Sequence, residues 1–98
     1  MTGEVAGLIA ERVTTCPDVV GLSGGPYGTV ATYLPGEMVS GVAVRDDEVE
    51  IHIVARYGRP LAEIAESVRG AVADLTGDLP VNVTVDDVRT ESELQGET

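Results

Sequence analysis

Two runs of period-two alternation, 39–45 and 48–57, flank the acidic pair Asp46-Asp47 and constrain this chain more than any other feature. Alternating apolar and polar side chains sort onto opposite faces of a strand, and a short polar turn between two such runs makes a β-hairpin. On the second strand Val49, Ile51, Ile53, Ala55 and Tyr57 share one face, while Glu48, Glu50, His52, Val54 and Arg56 share the other. The first set is expected in a core, with Val42 and Val44 beside it, and the second on an open sheet face. The chain holds no Phe, no Trp and three Tyr, so its core must be aliphatic. At 98 residues it is expected to form one domain, and standard surface scaling lets folding bury roughly 64% of such a chain's surface.

Helical spacing flanks the hairpin. Val5, Leu8, Ile9 and Val13 make an apolar stripe over about residues 4–15, ended by Pro17. Residues 18–22 then read as a short strand, and the glycines and proline of 23–28 as a loop. Residues 29–36 fit no single element, and Pro35-Gly36 marks a turn. After the hairpin, Pro60 is expected at the first position of a helix with Leu61, Ile64, Ala65, Val68, Val72 and Leu75 on one face and Gly77 at its stop. Val81, Val83 and Val85 alternate with Asn82, Thr84 and Asp86 in a last strand. A strand, a helix and a further strand imply a crossover, so this last strand should run parallel to the second hairpin strand. The expected fold class is α+β: a two-layer sandwich, a small mixed sheet with two helices on one face, in the order α-β-β-β-α-β. Residues 1–88 form the expected domain, and residues 89–98 an acidic disordered tail.

Charge narrows the function. Six Arg face 17 acidic residues, giving a net charge of -11 that opposes phosphate backbones and anionic lipid surfaces, so neither nucleic-acid binding nor direct membrane insertion is expected. A KH-like nucleic-acid reading also lacks its basic Gly-x-x-Gly loop. No apolar run is long enough to span a bilayer, and the first residues do not read as a signal peptide, so the cytoplasm is the expected location. Cys16 has no second cysteine for a disulfide or a zinc site.

Val19-Val20-Gly21-Leu22-Ser23-Gly24-Gly25 after the first helix, the hairpin, and Val54-Ala55-Arg56-Tyr57-Gly58 ahead of the long helix carry a resemblance. It continues through 61–72, Leu75-Thr76-Gly77 and Val81-Asn82-Val83-Thr84-Val85, so it spans about residues 4–88. In these motifs the chain resembles the alkaline shock protein 23 family, the envelope stress response proteins of Gram-positive bacteria. The resemblance implies a small cytoplasmic adaptor without catalytic residues or a cofactor, gathered at the membrane by a membrane-embedded partner protein or self-associating as a homo-oligomer. Longer members carry an N-terminal strand before the first helix and a longer C-terminal region, whereas this sequence starts almost at the helix and ends in a short acidic stretch.

The candidate interaction surface is the open sheet face and its edge: His52, Val54, Arg56, Asn82, Thr84 and Val88. Val54 and Val88 each put an apolar side chain where strand alternation points to solvent. His52 has Glu50 and Arg56 on its face but no nucleophile in view, so it reads as a surface residue or as part of a pH-sensitive interface, and no catalytic residue is assigned. Cys16 lies at a helix C-terminus, where the dipole disfavours a thiolate. The 24–28 loop matches no phosphate-binding pattern, and the acidic clusters at 46–50 and 86–87 lack the order of a calcium loop, so no metal is expected. The competing expectation is a small-molecule or anion-binding domain that uses His52, Arg56 and Arg59 near the 24–28 loop.

Overall fold

The computed structural model describes residues 2–94. The first apolar stripe becomes α1 (Thr2–Thr14), and the alternating runs become β1 (Val19–Leu22), β4 (Val42–Val44), β5 (Val49–Arg56) and β6 (Val81–Arg89). The long stripe becomes α2 (Leu61–Thr76), with Gly77 at its C-cap at φ 61. Pro60 stands one residue ahead of the first helical turn rather than inside it, and its carbonyl accepts from the amides of Glu63 and Ile64. The fold is α+β, as the alternation implies.

Two expectations about the elements change. The ambiguous 29–36 stretch contributes β2 (Ala31–Leu34), which pairs with β3 (Glu37–Ser40) in a separate two-stranded sheet. The expected single strand over 39–45 is broken at Gly41, which adopts φ 89 between β3 and β4. The element order is therefore α-β-β-β-β-β-α-β, followed by one helical turn, α3 (Glu91–Leu94), inside the segment expected to be unstructured. Arg89, the first residue of the expected tail, belongs to β6, and residues 95–98 lie outside the described residues.

The main sheet is organised around β5. β6 runs parallel to it along its whole length, from Val49 opposite Val81 to Arg56 opposite Arg89. β1 and β4 share its other edge, both antiparallel: β1 opposite Ile53–Ala55 and β4 opposite Val49–Ile51. Between these stretches the amide of Ser23 donates to the carbonyl of His52, and the amide of His52 donates to the carbonyl of Gly41, both at 2.9 Å. β1 and β4 are thus two halves of one edge strand, interrupted at His52 by an excursion over residues 24–40 that carries the loop and the β2–β3 hairpin.

Both helices pack on one face of this sheet. Ala6, Ile9 and Val13 of α1 and Ile64, Val68 and Val72 of α2 close over Val42, Val49, Ile51, Ile53 and Ala55, all fully buried. Burying a Val or Ile side chain stabilises by about 1.5–3 kcal/mol, so this aliphatic layer supplies the main driving force for the fold. The buried stripe of α1 is narrower than its sequence suggests. Leu8 is 47% exposed, because it lies about 100° around the helix from Ile9 and the sheet covers only the Ala6–Ile9–Val13 side. Tyr57, expected with the core set, is 73% exposed just beyond the end of β5, where its amide donates to the carbonyl of Arg89.

Candidate functional site

The open face of β5 carries a polar chain. Arg45, just past β4, donates from Nη1 to Glu50 Oε1 at 2.6 Å, and Glu50 Oε2 lies 2.7 Å from His52 Nε2. His52 Nδ1 lies 3.0 Å from both carboxylate oxygens of Asp86 on β6. An ionised carboxylate only accepts, so two carboxylates on the two ring nitrogens call for protons on both, which is the imidazolium. Burial disfavours that cation. The hydrogen bonds to Glu50 and Asp86 and the charges of both carboxylates outweigh burial, and the His52 pKa is raised above its usual 6.5. On Glu50 the hydrogen bonds from His52 and then Arg45 dominate, and its pKa is lowered from 4.5.

His52 is 7% exposed, which corrects the expectation of a wet sheet face at this position. The loop lies over it. A Cβ on Gly25 would stand 3.7 Å from His52 Nδ1 and 3.0 Å from the Val30 side chain, at φ 87, so only glycine lets the backbone come this close. Three of the loop's amides are spent locally: the Gly25 amide donates to Ser23 Oγ, the Gly28 amide to the Gly25 carbonyl, and the Val30 amide to the Gly24 carbonyl. These three are not available to an anion. Both nitrogens of His52 are engaged, so its ring has no lone pair for a proton or a metal in this state, and among the described residues no group of three or more His, Cys, Asp or Glu is arranged to hold a metal ion.

Asp86, on the open face of β6 with Asn82 and Thr84, reaches His52 at a bulge in the strand. Ile53 pairs with Val85 and Val54 with Asp87, so Asp86 is an extra residue in the ladder. The bulge also moves Val88 to the helix side opposite Ala55, where it lines a recess of about 620 Å³ with Tyr57, Gly58, Pro60 and Leu61. Val88 therefore does not share a face with Val54, contrary to the expectation from unbroken alternation. Val54 is half-buried beside Ser23, Gly25 and Pro26 of the loop, and Asn82 and Thr84 are exposed, with Asn82 donating to Glu48 at 2.6 Å. The sequence signal for the bulge is the three-residue step from Val85 to Val88 in a strand otherwise spaced by two.

His52, Arg56 and Arg59 do not converge. Arg59 Nη1 donates to Asp18 at 3.0 Å, Arg56 Nε lies 3.9 Å from the same carboxylate, and Arg56 also bonds Glu91. An anion on these arginines would have to displace Asp18. That residue sits at φ 69 in the turn between α1 and β1 and accepts the Arg56 amide at its carbonyl, so it ties this turn to the end of β5. Asp18→Ala is expected to lose about 1–2 kcal/mol in chemical denaturation, and Asp18→Gly roughly 1 kcal/mol less than alanine because glycine accepts the left-handed backbone. Equal losses would assign the whole effect to the carboxylate. Cys16 is buried, its Sγ 3.6 Å from the Arg12 carbonyl, and burial raises its pKa, which opposes a reactive thiolate.

Apolar side chains stand out elsewhere. All three aromatic residues are exposed, Tyr27 by 88%, Tyr33 by 70% and Tyr57 by 73%, and Met38, the cross-strand partner of Tyr33 on the β2–β3 hairpin, by 50%. None of these was singled out as a contact from the sequence: Tyr33 lay in the unassigned 29–36 stretch, Tyr27 in the 23–28 loop, and Tyr57 was expected in the core.

Fold and surface together define a small α+β sandwich with a sealed histidine and an exposed apolar hairpin. Two solved structures share the architecture: one described as the copper form of the MamM CTD, at TM-score 0.58 and 19% identity over 98% of this chain and 90% of that one, and a MamM variant, at TM-score 0.57 and 18% identity over 98% and 89%. At that identity the likeness is one of fold. No family model and no curated protein matches the chain.

Proposed function

We propose that this chain is a non-enzymatic interaction module of the alkaline shock protein 23 type, an adaptor in the envelope stress response or envelope homeostasis that binds a protein partner and further copies of itself. One observation carries the reading: all three tyrosines stand in solvent, while the core is built almost wholly from Ala, Val and Ile. Tyrosine and methionine at a surface are the residue types that anchor protein interfaces. The sealed state of His52 argues in the same direction, since a general base needs an open nitrogen within reach of a substrate. Among the described residues no helix is long and apolar enough to cross a membrane. With a net charge of -11, attachment beside anionic lipid calls for a membrane-embedded partner protein rather than headgroup contacts, and the working location is the cytoplasmic side.

The Tyr33–Met38 pair is the contact surface we assign to self-association. Light scattering coupled to size exclusion over a concentration series should give a mass that rises with concentration. A Tyr33→Asp/Met38→Asp variant should remain monomeric at every concentration with an unchanged melting temperature. A double variant that assembles like the parent chain contradicts the assignment.

A further inference from the structure

A groove of about 820 Å³ runs between α1 and the tip of the β2–β3 hairpin. Its apolar lining comes from Leu8, Leu34 and Pro35, and its rim from Glu4, Glu11 and Glu37. Glu4, Leu8 and Glu11 follow one another at i, i+4 and i+7, so they share one face of α1 with the apolar residue bracketed by the two acids. Gly7 leaves the floor open: a Cβ there would meet nothing within 4 Å.

The rim charges are uncompensated. Each of the six arginines is engaged elsewhere: Arg12 with Asp74, Arg45 with Glu48 and Glu50, Arg56 and Arg59 with Asp18, Arg69 with Glu66, and Arg89 with Asp87. Among the described residues no ion pair involves Glu4, Glu11 or Glu37. An apolar trough edged by three unneutralised carboxylates is complementary to an amphipathic helix with an aliphatic stripe and Lys or Arg along both its sides. The distance along α1 from Glu4 to Glu11 is about 10 Å, two turns of such a helix.

We infer that this groove is the docking site for a basic amphipathic helical segment of a partner protein, whose aliphatic side chains enter against Leu8, Leu34 and Pro35 while its cations meet the three carboxylates. This rests on the adaptor reading and gives the partner its chemistry. It uses a different surface from the Tyr33–Met38 pair, so docking and self-association are separable.

The test is fluorescence anisotropy with a labelled peptide of Leu and Lys at helical spacing, titrated with four forms of the full chain: the parent chain, a groove triple variant Glu4→Gln/Glu11→Gln/Glu37→Gln, a remote triple variant Asp46→Asn/Asp47→Asn/Asp78→Asn of equal net charge, and Gly7→Leu. The groove triple variant should weaken binding roughly tenfold at physiological salt while the remote variant changes it by less than about twofold. Gly7→Leu fills the floor without changing charge and should weaken binding by a similar factor. Equal losses in the two triple variants, or a Gly7→Leu chain that binds like the parent, would overturn the groove in favour of diffuse charge attraction. No binding by the parent chain also overturns it, whereas the adaptor reading stands or falls separately on the light-scattering series.

Discussion

Replacing Gly41 with alanine is expected to lower the unfolding free energy by roughly 3 kcal/mol or more, the scale of backbone strain combined with overpacking. Gly41 is at φ 89, where an L side chain is strained whatever space surrounds it. There is also no space: a Cβ would stand 2.7 Å from the Leu22 Cβ and 3.0 Å from the Ser23 carbonyl oxygen, so the two halves of the interrupted edge strand would have to separate. Two backbone hydrogen bonds hold the residue in place, its amide to the Val30 carbonyl at 2.7 Å and its carbonyl to the His52 amide at 2.9 Å. Gly36, at φ 81 in the hairpin turn with nothing within 4 Å, isolates the backbone contribution, and Gly36→Ala should cost only about 1–2 kcal/mol. Equilibrium denaturation of both variants measures the difference. Equal losses would show that the junction at Gly41 is looser than the geometry implies.

The second large effect is at His52. His52→Gln removes the cation that holds Glu50 and Asp86, and uncovering a buried charged partner costs about 3–5 kcal/mol when the site is dry. Glu50 keeps Arg45, and both carboxylates retain some exposure, so about 2–3 kcal/mol is the expected loss. The pH dependence identifies the cause. The folded-state pKa of His52 is raised, so its contribution is fully present below the unfolded-state value of 6.5 and disappears as pH rises through the folded-state pKa. The folded-state pKa of Glu50 is lowered, so its contribution is present above 4.5 and disappears as pH falls through the folded-state value. The difference between parent chain and variant should therefore be greatest between those limits and shrink toward alkaline pH. The loop segment 23–26 packed over the ring brings no titratable side chain, which leaves Glu50, Asp86 and Arg45 as the charges to weigh. A difference that does not vary with pH would mean that the ring acts by packing alone.

The elements that bury an apolar stripe were legible from the sequence. The hairpin turn at Asp46-Asp47, the long helix ending at Gly77 and the parallel pairing of the last strand all follow from spacing, because one-sided burial leaves a period that can be read. The elements that bury little were not. β2 and β3 form a two-stranded sheet with an exposed tyrosine and methionine, so no hydrophobic period marks β2 or the start of β3, and of residues 29–36 only the Pro35-Gly36 turn was read. The open sheet face was misjudged for a different reason. Alternation tells which side of a strand a residue occupies but not what the chain folds back over that side, and here an interrupted edge strand sends 24–40 across His52. Val88 failed through one extra residue: a single bulge at Asp86 reverses the facing of everything after it. Asp86, the second carboxylate on His52, is the extra residue of that bulge, so the break in the pattern falls beside the buried ion cluster.

If the chain works as an interaction module through its exposed hairpin, the residues that sense a neighbouring copy should be those of β2 and β3. Amide chemical shifts recorded on dilute and concentrated samples of the full chain resolve this residue by residue. The changes should centre on Tyr33 and Met38 and leave His52 and Asp86 in place. Spectra that do not depend on concentration, or changes confined to Val54, Asn82 and Thr84 on the β5–β6 face, would contradict it.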